Sequence, residues 1–188
     1  MRWLHIYLSM VGLATILFFS VTGITLNHPG WFSFLTSERS RESSGEINTS
    51  WVNLQGDQVD KFSVVEHLRK QHGIHGEVVD VRVDDRECMV GFKGPGYSAD
   101  VFILRSTGKY TLTENFFGVI AVINDLHKGR DTGPVWSLVI DVSAIVMTIV
   151  SLTGLVLLFY IKRRRISGTL VVGVGTLLIG ALYWWGVA

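Results

Sequence analysis

Two histidines stand where long apolar runs meet polar sequence. His28, in "LNHPGW" (26–31), closes the first run, and His127, in "NDLHKGRDTGPVW" (124–136), precedes the second. A neutral imidazole offers a metal one nitrogen lone pair while a neighbour holds its other ring N–H. Pro29 cannot continue a helix, so His28 ends the first helix on the side where His127 leads into the second. If these antiparallel helices pack together, both imidazoles reach one rim of a bundle, a placement suited to holding haem iron axially and transferring electrons. One haem b per chain is the expectation from that pair, with Lys128 and Arg130 set to neutralise its propionates. Zinc fits less well, because two ligands fall short of a structural site and no thiolate is near. The plainer alternative for each histidine is a ring resting in headgroup water.

His5 cannot share that haem with His28. The 23 residues between them span roughly 34 Å of helix. A second, intersubunit haem would need another copy's His5 as partner; otherwise His5 is an interfacial residue. Asp141 is the one acid inside an apolar run, so it is a candidate for orienting His127, pairing with Arg130 or carrying a proton, set against a place at the water boundary. His67, His72 and His75 do not align on one helix face and read as surface residues. Cys88, inside a strand pattern, reads as a small buried residue, and a single cysteine excludes an intrachain disulfide.

The elements that must position these residues follow from hydropathy. Mean hydropathy is +0.36, and the apolar excess is concentrated in residues 3–26, 135–161 and 168–187. Each run is long enough to cross a hydrocarbon core that needs about 20 apolar residues. The first is too long for a typical secretory signal core and has no clear cleavage site, so it reads as an uncleaved anchor. Arg2 and the "KRRR" of 162–165 mark the cytoplasmic side, whereas residues 29–133 carry 12 basic against 15 acidic side chains and belong outside. The net charge of +1 gives no sign of a nucleic-acid partner. Membrane lipid is the certain surrounding. Gly168, Gly173, Gly175 and Gly180 make the third span small-sided, which favours close packing on other helices or on a second protomer.

The expected organisation is a first span over 1–28, a linker over 29–58, a soluble module over 59–130, a second span over 134–161, a basic loop over 162–167 and a third span over 168–188. In the module, "VDKFSVVEHLRKQHG" predicts a helix with Val59, Phe62, Val65 and Leu68 on its apolar side. Four alternating runs, "EVVDVRV", "ECMVGF", "SADVFIL" and "KYTLT", predict a small antiparallel sheet. "TENFFGVIAVINDLHKG" predicts a second helix capped by Thr113. Its Phe116, Ile120, Ile123 and His127 fall within about 40° of one line. The fold class is thus a membrane α-helical protein with three transmembrane helices and an inserted small α+β domain.

The stretches "WLHIYLSMVGL" (3–13), "SVTGITL" (20–26), "DLHKG" (125–129) and "SLTGLVLLFYIKRRR" (151–165) resemble the PepSY-associated transmembrane family of bacterial inner-membrane proteins. "FILRSTGKYTLTENFFG" (102–118) is similar to a PepSY domain. The resemblance covers most of the chain. It implies a periplasmic module, an inner-membrane location with a cytoplasmic N terminus, and His127 and His28 as haem ligands with His5 as a candidate for a second haem. Members include haem-containing reductases that pass electrons to ferric siderophores or to periplasmic flavin-linked carriers. This chain departs from the larger reductases in having three spans, one PepSY-like module and no G-x-G-x-x-G loop for a nucleotide cofactor.

The expected function is therefore an inner-membrane b-type electron-transfer protein, working as a homo-oligomer or with a membrane redox partner and delivering electrons to a periplasmic acceptor. No Ser/His/Asp or Cys/His arrangement, G-x-S-x-G or H-E-x-x-H is discernible, so no catalytic nucleophile or base is assigned. Two rival readings are a membrane-tethered PepSY module that binds or inhibits a periplasmic peptidase, and an accessory subunit of a metal or siderophore uptake complex.

Overall fold

The computed structural model describes residues 2–53 and 58–187. Three helices among these are long and apolar enough to cross a membrane: α1 (Arg2–Asn27), α5 (Gly133–Tyr160) and α6 (Arg165–Gly186). The three long apolar helices expected from the sequence are therefore present. The N–H of His28 still bonds to Ile24 O at 3.0 Å, and Pro29 then opens a short 3-10 stretch, Pro29–Leu35, which ends the α geometry as proline requires.

The chain divides into two compact units, residues 1–17 with 141–188 and residues 18–140. The second is built on a five-stranded antiparallel sheet of order β1-β5-β4-β3-β2. Its strands are β1 (Arg39–Glu46), β2 (Glu77–Val83), β3 (Glu87–Gly94), β4 (Tyr97–Leu104) and β5 (Lys109–Phe116). A short helix α2 (Thr49–Val52) precedes α3 (Lys61–His72), and α4 (Gly118–Lys128) follows the sheet. The helix and the four alternating runs expected from the sequence are all present, so the inserted module is α+β.

α3 begins where Asp60 accepts from Ser63 N at 3.1 Å and ends at Gly73, whose φ of 67° suits a residue without Cβ. Its Val64 and Leu68 are fully buried against Val90, Phe92, Val101, Ile103 and Leu112 from one face of the sheet. Phe62, expected on the apolar side, is instead 78% exposed, because the helix turns its Val64–Leu68 line to the sheet. Cys88 is buried in this core, as expected, and burial pushes its thiol pKa up.

Two segments differ from the sequence expectation. Part of the stretch read as a linker, Arg39–Glu46, is an edge strand paired with β5 along its whole length; residues 54–57 of that stretch lie outside the described residues. Thr113 is not a helix cap. It lies within β5, paired with Glu42 on one side and Asp100 on the other, and α4 starts only at Gly118, whose φ is 80°. The sheet hydrogen bonds offered by β1 and β4 hold Thr113–Phe116 extended, and Phe116 consequently lies off the helix that carries His127.

Candidate functional site

The geometry around His127 begins with α4 and its anchoring. Gly96, at the turn between β3 and β4, donates its N–H to Asp125 Oδ2 at 2.9 Å and accepts from Phe117 N at 2.9 Å. The β hairpin thereby grips α4 at both ends. The helix stops at Gly129 (φ 66°), leaving His127 in its last turn.

From that position the His127 ring meets the second half of α1. Its Nδ1 is 2.5 Å from Thr22 Oγ1, Gly23 lies against its Cε1, and the Phe19 ring stands edge-on with a centroid separation of 5.0 Å. Thr22 and Thr25 are each 2% exposed, and Thr25 donates to Asn124 Oδ1 at 2.6 Å, fixing α4 and α1 at a second point. Trp136 closes the surroundings by donating its Nε1–H to Leu126 O at 2.8 Å and packing against Phe18.

Thr22 also donates its hydroxyl hydrogen to Phe18 O at 2.6 Å, which leaves its oxygen an acceptor for an Nδ1–H of His127. With Nδ1 engaged on the threonine, Nε2 is the ring nitrogen available to a metal.

His5 is held in the same way in the other unit. His5 Nδ1 is 2.9 Å from Thr153 Oγ1, which donates to its own helix at Ile149 O, 2.8 Å away. A Cβ placed on Gly154 would stand 3.2 Å from His5 Cε1. The device is thus repeated: a histidine preceded by a leucine docks its ring on a Thr-Gly pair, the threonine bonding Nδ1 and the glycine letting the ring lie against helix backbone. Leu4-His5 meets Thr153-Gly154, and Leu126-His127 meets Thr22-Gly23.

His28 has a different neighbourhood. Its ring stacks on Trp31 with centroids 3.9 Å apart and planes 6° apart, and its Nε2 is 3.2 Å from Asn27 Nδ2. His28 and His127 are in neither hydrogen-bond nor ring contact with each other among the described residues. Lys128 and Arg130 are exposed directly after His127. Asp141 is exposed two turns into α5.

In the soluble module, His72 meets Tyr110, His67 lies beside Trp51, and His75 is exposed. Among the described residues no three of His, Cys, Asp and Glu converge on a common point. The sheet also buries Glu114, 5% exposed, which accepts from Tyr97 Oη at 2.8 Å. Burial first, then the Glu114 carboxylate, pushes the Tyr97 phenol far above its ordinary pKa and keeps it a donor.

Sequence reasoning alone did not assign Thr22, Gly23, Thr153 or Gly154 to the site. The signal was present as two Leu-His pairs and two Thr-Gly pairs within or beside the apolar runs, but the partners that meet lie 148 residues (5 to 153) and 105 residues (22 to 127) apart, and no local pattern shows which pair meets which.

No curated protein and no solved structure matches this chain. The profile of the PepSY_TM-like family matches residues 1–187, and it takes in both Leu-His pairs, both Thr-Gly pairs and the soluble module between them. The chain therefore belongs to the PepSY_TM-like family.

Proposed function

We propose that this protein is a bacterial inner-membrane b-type haem protein that moves electrons toward a periplasmic acceptor, such as a ferric chelate or a flavoprotein. One observation carries the reading: His127 and His5 each have Nδ1 held by a threonine hydroxyl of a membrane-length helix, which leaves Nε2 the nitrogen available to a metal. The donor set suits haem better than a bare cation. A porphyrin supplies four of the iron's ligands, so one or two imidazoles complete the site, whereas zinc needs three or four protein ligands at one point.

His127 and His5 would be the iron-binding residues of two haem sites, each completed by an imidazole from a second copy of the chain. His28 is the reserve candidate beside His127. Lys128 and Arg130, exposed next to His127, would face the propionates. Haem, when bound, supplies one-electron redox chemistry. The chain's own part is to hold the imidazoles by their Nδ1 atoms and to set Phe19 edge-on against the His127 ring, with Phe18 and Trp136 packed together nearby.

The test is a reduced-minus-oxidised absorption spectrum of the detergent-purified chain with haem quantified. His127→Ala and His5→Ala should each remove haem, while His28→Ala should keep it. Loss with His28→Ala instead would restore the His28–His127 pair.

The second reading, a tethered binding module, draws on an open groove of about 630 Å³ on the sheet, bordered by Phe102, Leu104, Glu46, Glu87 and Lys109. A colourless preparation, after expression with ample haem, that still captures a periplasmic partner would favour it.

A further inference from the structure

The unit formed by residues 1–17 and 141–188 carries its charge at one end. Lys162, Arg163, Arg164 and Arg165 follow one another between α5 and α6, whereas residues 142–188 contain no Asp or Glu. Asp141, the unit's one acidic side chain, lies roughly 28 Å along α5 from Tyr160. Arg2 belongs to the basic end. It stands about one turn before His5, whose ring docks on Thr153 and Gly154 in the last part of α5.

All five cations are exposed, and none forms an ion pair among the described residues. Gly168 lies against Leu158, so α5 and α6 meet just below the loop and keep its four charges in one short segment. Like charges held this close repel, and no carboxylate of the unit is near enough to offset them. The counter-ion must come from outside.

The flanking side chains decide what kind of anion fits. Tyr160, Ile161 and Ile166 border the four charges and are exposed, and Phe159, Ile166 and Leu170 line an open cleft of about 460 Å³ together with Arg165. Both helices have the length and hydropathy of membrane spans, so the loop that joins them stands where headgroups meet acyl chains. An amphiphilic anion matches both parts, its phosphate to the guanidinium groups and its chains to the apolar flank. A free phosphate would leave that flank uncovered, and the ammonium of a zwitterionic lipid would find no carboxylate to accept it.

We propose that the α5–α6 loop, with Arg2 beside it, is a binding surface for anionic phospholipid, whose phosphodiester is held by Lys162–Arg165. Its occupation is independent of haem.

Native mass spectrometry of the full chain, purified in detergent and titrated with dioleoyl phosphatidylglycerol or dioleoyl phosphatidylcholine, tests the surface. Phosphatidylglycerol should bind more tightly, by about fivefold for each cation that engages it, and the preference should shrink as salt rises. Arg164→Gln and Arg165→Gln should each weaken phosphatidylglycerol binding by about fivefold and leave phosphatidylcholine binding unchanged. Arg164→Lys and Arg165→Lys, which retain the charge, should keep the preference. Each single change leaves three of the loop's four charges, and circular dichroism checks that helix content is preserved. Arg82→Gln, on β2 of the soluble module, removes a charge elsewhere and should have no effect. Equal binding of the two lipids, or an equal loss in Arg82→Gln and the loop variants, overturns the proposal. Displacement of the lipid by glycerol 1-phosphate at matched ionic strength also overturns it, because the loop would then bind phosphate without regard to the acyl chains.

Discussion

His127 Nδ1 lies 2.5 Å from Thr22 Oγ1, and the hydroxyl hydrogen of that threonine is committed to Phe18 O. Together with Gly23 and the edge-on Phe19 ring, that contact holds the imidazole in one orientation on α1.

Replacing Thr22 by Val removes the acceptor while keeping the shape of the side chain. Outer-shell hydrogen bonds of this kind are worth roughly 10- to 100-fold in affinity for the bound centre. Thr22→Val should therefore weaken haem retention by about that factor and broaden the spectrum, with Thr22→Ser restoring both. His127→Ala should lose the haem of that site altogether. Equal haem content and equal midpoint potential in Thr22→Val and the wild type would mean that the threonine only packs.

The glycines of the two docking sites should not respond alike. A Cβ on Gly23 would stand 3.9 Å from His127 Cε1, an ordinary contact, while one on Gly154 would stand 3.2 Å from His5 Cε1. Gly23→Ala should be nearly silent. Gly154→Ala should push the His5 ring outward and lower haem at that site, seen as a reduced haem-to-chain ratio with the His127-dependent bands intact.

Much of this arrangement could be read from the chain itself. The three spans follow from length and hydropathy, and β2 is bounded as its alternation predicts, Glu77–Val83. β1 escaped because Arg39–Glu46 is polar on both faces and owes its extended form to main-chain bonds with β5, which leave no periodic signature. The same pairing explains why Thr113–Phe116 is strand despite its resemblance to a helix start. For the site, the histidines were legible as costly residues at membrane edges. Their threonine partners were not, since a threonine bonded to its own helix looks like any other small residue of a membrane span.

His72 makes the soluble module sensitive to pH. Burial is the main cause holding its pKa below the ordinary imidazole value, with Arg41 and His67 acting the same way and Glu114 opposing. Tyr110, whose phenol is itself pushed up by burial, lies with its hydroxyl 2.7 Å from His72 Nε2, and the neutral ring that the lowered pKa favours can accept from it there. A base whose pKa is lower folded than unfolded takes up protons on unfolding, so stability is complete above the unfolded value near 6.5 and declines as pH falls from there toward the folded value. Hydrogen exchange of β4 and β5 amides in the full detergent-solubilised chain, corrected for intrinsic rates, should show less protection at pH 5.5 than at 7.5. His72→Gln, which keeps an acceptor for Tyr110 but cannot titrate, should flatten that difference.

Gly96 couples the sheet to His127, and its replacement should separate folding from site geometry. Its φ is 64°, a conformation that disfavours side chains, and a Cβ there would lie 3.0 Å from Val122 N within α4. Gly96→Ala must therefore move α4 away from the hairpin and stretch the bonds from Gly96 to Asp125 and Phe117. The core of Val64, Leu68 and Phe92 lies elsewhere in the module and should stay closed, with Cys88 still shielded from thiol reagents. At the end of α4, however, His127 should lose its register with Thr22. The expected result is a folded module with an unreactive Cys88 but weakened haem binding, and Asp125→Ala should reproduce it more mildly, by roughly the 1 kcal/mol of a single hydrogen bond. If Gly96→Ala leaves haem affinity unchanged while keeping the module closed, the hairpin does not position His127, and contacts such as Thr25 with Asn124 suffice to hold α4 in place.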